Sequence, residues 1–276
     1  MKRAVVVFLD SNPDQIKLFK CLYASFEYIK SRDTSLVVFG EASVMKWVPK
    51  NCIKVPVQLE DDPAIYSEYP YIYSLSSLTK KEASILLHFD WILKTDVDTF
   101  LTPAWNSFHP TGYTVGKGAY ASTKEVKSRI KEISNQFNLR HQGRFNIGST
   151  HYGKPSLLLK VADTATELTK YLLLKEFSIN KGAWPSWYYG VCSLYASDIA
   201  VNHHVDNISI SPNKLDHPST SPNSIYHHPH IHCWHTDHLF SKFAYLRGDY
   251  DNTDPKKLDL NKVHDYCLYN AIATQD

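Results

Sequence analysis

Residues 4–10 read Ala-Val-Val-Val-Phe-Leu-Asp and run straight into the polar stretch Asp10-Ser11-Asn12-Pro13. An apolar run that stops this sharply fits a buried central strand closed by a turn. Next, Ile16, Phe19, Leu22, Tyr23 and Phe26 recur at helical spacing. Ser35-Leu36-Val37-Val38-Phe39-Gly40 is a second apolar run with a glycine stop, and 53–59 alternates as a third strand would. Strand, helix, strand this early in the chain predicts a parallel α/β sheet. The first run holds about six apolar residues and is followed at once by a charge, too short for a signal sequence. Nothing approaches the roughly 20 apolar residues of a membrane-spanning helix.

A later apolar run, Trp91-Ile92-Leu93, leads through Lys94-Thr95 into Asp96-Val97-Asp98-Thr99-Phe100-Leu101 before Pro103. This reads as another buried strand, with two carboxylates one residue apart at its carboxyl end. Carboxylates so spaced reach one hard divalent cation, Mg²⁺ or Mn²⁺, which keeps open positions for substrate phosphates. A bare Asp-x-Asp is far more often a turn or a helix cap. The strand context turns those odds toward a metal–diphosphate site.

The remainder of the chain supports one domain. Residues 78–89 predict a helix with Ser77 or Thr79 as N-cap and Glu82 as capping-box partner. Residues 124–137 form a charged amphipathic helix, 145–150 a short strand and turn, and 156–177 a mainly helical stretch. Residues 184–202 begin as an aromatic loop and become a helix. Residues 203–238 hold nine of the fourteen histidines with four prolines between them, and 262–272 closes a polar tail with a modest helix. No repeat or low-complexity linker divides it. With 30 basic and 28 acidic residues the net charge is +2, which gives no case for nucleic-acid binding. The five cysteines Cys21, Cys52, Cys192, Cys233 and Cys267 form no CxxC pair and fit free thiols in a reducing compartment. The sequon Asn207-Ile-Ser209 is then without consequence.

Three segments carry a family resemblance. Leu93-Lys94-Thr95-Asp96-Val97-Asp98-Thr99-Phe100-Leu101 is similar to the DxD strand end of nucleotide-sugar-dependent glycosyltransferases of the GT-A fold. Phe145-Asn146-Ile147-Gly148-Ser149 resembles the F-N-x-G turn of glycogenin-like members. His232-Cys233-Trp234-His235-Thr236-Asp237-His238-Leu239-Phe240-Ser241-Lys242 resembles their late His-then-Lys segment, without its glycine and its Lys-Pro-Trp ending. The texture is also similar to glycosyltransferases of large DNA viruses of algae.

The resemblance implies a single GT-A-like α/β domain over 1–276, with a central, mostly parallel sheet flanked by helices and a C-terminal His-rich elaboration. Its nucleotide-binding half is about 1–105, its acceptor and metal-completing half about 106–245, and its tail 246–276. It implies transfer of a sugar from a UDP-sugar to a glycan or glycoprotein hydroxyl with Mn²⁺ or Mg²⁺. The expected place is the cytoplasm, the host's if the chain is viral.

Specific residues follow. Asp98 would coordinate the metal directly, and Asp96 would bind it through water or hold the ribose. His235 is the favoured third ligand, with His232 and His238 as rivals. Lys94 and Lys242 would offset phosphate charge, and Phe8, Asp10 and Ser11 would face the nucleotide. Asn146 and Gly148 would lie by the donor sugar. Asp198, in 195–203, is the candidate reactive acid, or else orients the acceptor or donor. Trp184, Trp187, Tyr188 and Tyr189 would offer an aromatic platform to the acceptor.

Other readings are weaker. Phosphatases of the haloacid dehalogenase type carry Asp-x-Asp after the first strand, not at residue 96. A His-rich zinc hydrolase would need a helical pair such as HExxH, whereas His227-His228-Pro229-His230 reads as loop. A non-catalytic sugar-binding module of the same fold is the third alternative.

Overall fold

The computed structural model describes residues 1–60, 62–236 and 239–274. The first apolar run is strand β1 (Arg3–Phe8). Ala4 and Val6 enter one hydrophobic cluster, and Val5 and Val7 enter another on the opposite face. A strand apolar on both faces must be covered on both.

Helix α1 (Pro13–Ile29) covers the second cluster with Leu18, Phe19 and Leu22, and the Asn12 side chain caps it by accepting from Asp14 N. Strands β2 (Thr34–Gly40) and β3 (Ile53–Pro56) then add in parallel beyond β1. One helical turn, α2 (Tyr73–Ser76), precedes β4 (Trp91–Lys94), which pairs with the other side of β1, again in parallel. After β5 (Thr99–Leu101) and β6 (Thr114–Lys117), helix α3 (Lys124–Gln136) leads to β7 (Ile147–Gly153).

Helices α4 (Pro155–Tyr171) and α5 (Cys192–His204) bury Leu158, Val161, Ala196 and Ile199 in the first cluster. Short strands β8 (Ser209–Ile210), β9 (His217–Pro218) and β10 (His230–His232) follow. Helices α6 (Lys242–Arg247) and α7 (Val263–Ile272) close the chain on the second cluster.

The seven-stranded sheet has the order β3-β2-β1-β4-β7-β6-β8, and a three-stranded sheet has the order β5-β10-β9. Only β7 runs against its neighbours in the large sheet. The fold is therefore α/β, with a central, mostly parallel sheet flanked by helices and a His-rich C-terminal elaboration, as expected. Among the described residues no helix is long and apolar enough to cross a membrane.

One local expectation fails. The helix expected over 78–89 is two tight 3₁₀ pieces, Ser77–Thr79 and Lys81–His88, split by an extended Lys80 with ψ 154°. Neither Ser77 nor Thr79 caps it, because the Thr79 hydroxyl turns back to the Ser76 carbonyl at 2.9 Å. Within the His-rich stretch, His217, His228 and His230 are buried. The rings of His217 and His228 stack at 3.4 Å, and His230 is fully buried.

The buried histidines predict an acid-sensitive fold. His151 donates from Nε2 to the Gly148 carbonyl (3.1 Å), so Nδ1 accepts from the Tyr113 hydroxyl (2.9 Å). Burial, reinforced by Lys94, pushes its pKa down to about 4, and burial with His228 does the same to His217. An unfolded histidine titrates near 6.5. The unfolded chain therefore takes protons first, and stability falls as pH drops from about 6.5 to about 4, by on the order of 3 kcal/mol for a fully buried ring. Urea midpoints measured across this window should fall, and less steeply in His151→Gln. An unchanged slope in that variant would remove His151 from the account.

Candidate functional site

The site grows from the carboxyl end of β4. Ile92 and Leu93 bury on opposite faces and lock the strand, and Thr95 N extends the pairing to the Val6 carbonyl at 3.0 Å. The chain then turns, with the Thr99 hydroxyl donating to the Asp96 carbonyl at 2.8 Å. It re-enters as β5, which pairs antiparallel with β10 so that Thr99 faces His232. That pairing brings together groups far apart in sequence. Asp96, Asp98 and His232 each present a ligand atom, and these atoms lie within 4.8 Å of one another. Two carboxylates and an imidazole form a donor set suited to a divalent cation.

Each carboxylate has its own ammonium partner. Lys94 Nζ lies 3.3 Å from Asp96 Oδ1 and also donates to the Ser149 carbonyl at 3.3 Å. Lys242 Nζ lies 2.5 Å from Asp98 Oδ2, and His232 Nε2 lies 3.3 Å from Asp98 Oδ1. Burial would raise the Asp98 pKa, but His232 and Lys242 reverse this and hold it well below the usual carboxylate range. Burial likewise works against the His232 charge, and Asp98 and Asp216 overcome it, keeping the ring protonated well above its ordinary value. To ligate a cation through Nε2, the ring sheds that proton and keeps Nδ1–H on Asp216.

Asp216 was not singled out from sequence. Its Oδ1 lies 3.2 Å from His232 Nδ1 and accepts from the Thr150 hydroxyl at 2.5 Å. Burial would raise its pKa, but His232 foremost, then His230 and Thr150, brings it down to about 2. No motif marks a carboxylate that acts across sixteen residues from within a His-rich loop.

The other expected residues are distributed as follows. His235 packs edge-on against Phe243 at 5.3 Å, outside the ligand group, and burial with Lys242 pushes its pKa down. His238 lies outside the described residues. Phe8 stacks on Tyr73, which stacks on Tyr66, and Phe8 lines a narrow crevice with Val6, Phe39, Ser77 and Lys94. The buried Ser77 hydroxyl there has no hydrogen-bond partner. Asp10 accepts from Asn12 N at 2.8 Å, and burial pushes its pKa up; Ser11 is exposed.

Asn146, at φ 62°, spends its side chain on the Ala121 backbone. Gly148 faces Asp216. Trp187 lies sandwiched between Phe177 and Tyr195, whereas Trp184 is exposed, Tyr188 is half-buried, and the Tyr189 hydroxyl bonds the Glu68 carbonyl.

Asp198 sits on α5 with no exposed surface. Its carboxylate accepts from the Tyr120 hydroxyl (2.6 Å), bonds His141 Nε2 (2.9 Å) and accepts from Asn202 Nδ2 (3.2 Å). Burial pushes its pKa up against those bonds. One turn on, Asn202 bonds Gln142 N, Arg144 N and the Arg144 carbonyl. Together the two residues anchor loop 141–144, which leads into β7.

Asp198→Ala strands the Tyr120 hydroxyl and the His141 N–H in the core. It should cost on the order of 3 kcal/mol in urea unfolding. A cost below about 1 kcal/mol would contradict the anchoring role.

No curated protein matches the chain. Among solved structures, the apo form of the bifunctional glycosyltransferase WbbM is similar at 10% identity and a TM-score of 0.47, covering 99% of this chain and 50% of WbbM. The chain thus spans about half the length of that protein. The model of the domain of unknown function DUF7164 matches residues 1–275, and the chain belongs to that family.

Proposed function

We propose that the chain is a divalent-metal-dependent glycosyltransferase that moves a sugar from a UDP-sugar to a hydroxyl of a glycan or glycoprotein. One observation carries the reading: two carboxylates and an imidazole converge at the carboxyl end of β4, flanked by two lysines. Open α/β sheets gather ligands at that end. The donor set is richer in oxygen than the histidine-dominated sets of catalytic zinc. It suits Mn²⁺, with Mg²⁺ as the harder alternative.

In this reading Asp96, Asp98 and His232 hold the ion. Bound there, it supplies Lewis-acid neutralisation of the charge that develops on the leaving diphosphate. The chain's own groups do the rest. Lys94 and Lys242 turn from their carboxylates to phosphate oxygens, acting as point charges. Phe8, backed by Tyr73, walls the base, with Asp10 and Ser11 beside the ribose. Trp184 and Tyr188 offer ring faces to the acceptor sugar. Asp198 is enclosed and its oxygens are occupied, so it holds loop 141–144 and takes no proton from the acceptor. The nucleotide half of about 1–105 supplies the two aspartates, and the half of about 106–245 supplies His232 and Lys242.

The test is release of UDP from a panel of UDP-sugars, with Mn²⁺ and with EDTA. Slow metal-dependent release is expected, and Asp98→Ala should lower it about 10²–10³-fold, the usual loss when one electrostatic contact to developing charge is removed. Release that survives EDTA contradicts the reading, as does no release from any nucleoside-diphosphate sugar.

A further inference from the structure

We infer that Asp216 is a positioning residue for the metal site, seated on a two-glycine cradle so that it fixes His232 in the tautomer that presents Nε2 to the cation. The inference rests on the reading of Asp96, Asp98 and His232 as ligands. The structural oddity behind it stands independently.

A fully enclosed carboxylate is costly unless it is paired and hydrogen-bonded. Asp216 is enclosed and lies in the left-handed region at φ 57°. Its Oδ2 rests against bare backbone. A Cβ on Gly116 would come within 1.8 Å of that oxygen, and a Cβ on Gly148 within 2.4 Å. These glycines lie on the adjacent strands β6 and β7, next to the irregularity between Val115 and Lys117. Only residues without side chains leave room for the carboxylate. Gly148 therefore has a structural reason to be glycine that does not involve a sugar.

The hydrogen bonds around Asp216 also have a fixed direction. Asp216 N donates to His230 Nδ1 at 3.2 Å, so the proton of that ring sits on Nε2. His230 Nε2–H then donates to the Thr95 hydroxyl (2.9 Å), Thr95 donates to Thr150 (2.9 Å), and Thr150 donates to Asp216 Oδ1 (2.5 Å). The loop closes on the residue where it began. Across it, Oδ1 faces His232 Nδ1 at 3.2 Å. His232 Nδ1 is thereby committed to carrying a proton toward Asp216, and Nε2 is left on the side of Asp98. A carboxylate behind a ligating histidine sets ring orientation and raises ligand basicity.

The test is Mn²⁺ binding to the full chain, read from the paramagnetic resonance signal of free Mn²⁺, for wild type, Asp216→Asn, His232→Ala and the double variant. Asp216→Asn should weaken binding about 10- to 100-fold, as loss of such a partner typically does. The double variant should bind no more weakly than His232→Ala alone, because Asp216 acts only through that ring. Thr150→Val, which removes the hydroxyl on Oδ1, should give a smaller loss of the same sign and serves if Asp216→Asn does not fold. Wild-type affinity in a folded Asp216→Asn or Thr150→Val variant would overturn the positioning role and leave the metal site standing. So would a further loss added on top of His232→Ala. No Mn²⁺ binding by the wild type would overturn the ligand reading itself, and this inference with it.

Discussion

The arrangement around residues 96–98 depends on one strand register. β5 and β10 pair with Leu101 opposite His230 and Thr99 opposite His232. Side chains alternate across a strand, so a slip by one residue would turn His232 away from Asp98. The register is held from several sides. Thr102 N bonds the Pro229 carbonyl at 3.2 Å, Cys233 N bonds the Asp98 carbonyl at 3.0 Å, and the Thr102 hydroxyl bonds the His228 carbonyl at 2.8 Å. From α7, the Tyr266 hydroxyl reaches the Leu101 carbonyl at 2.7 Å. The last helix is therefore tied to β5, the strand that follows Asp96 and Asp98. Phe100 and Ile231 add apolar burial at the same pairing.

Charge follows from this packing. Asp96, Asp98 and Asp216 crowd one corner, and Lys94, Lys242 and His232 answer them. Removing one partner of a buried pair leaves an uncompensated charge, typically at a cost of about 3–5 kcal/mol. In the proposed reading a divalent ion would take the place of these cations, and its binding would be an exchange of partners.

Local patterns revealed the sheet. The runs at β1, β2 and β4 and the helical spacings of α1 and α3 depend on near neighbours, and the Asp96/Asp98 pair was visible because strand and turn are contiguous. What sequence did not show lies in long-range contacts. Nothing local separates His232 from His235, three residues on; only the pairing with β5 does. Asp216 was missed because its partners, Thr150 on β7 and His232 on β10, are brought to it by two different strands. Asp198 stood out as an acid in a helix, yet helical spacing does not reveal that Tyr120 and His141 enclose it. Trp187 looked like a sugar platform and is held between Phe177 and Tyr195, since aromatic content does not distinguish core from surface.

The most direct measurement of the central claim is calorimetric titration of UDP into the protein with and without Mn²⁺, repeated on Asp98→Ala. The account predicts binding that requires Mn²⁺ and disappears in the variant. Binding that ignores the metal, or no binding of any nucleoside diphosphate, would contradict it and return the paired aspartates to the role of an ion-paired turn.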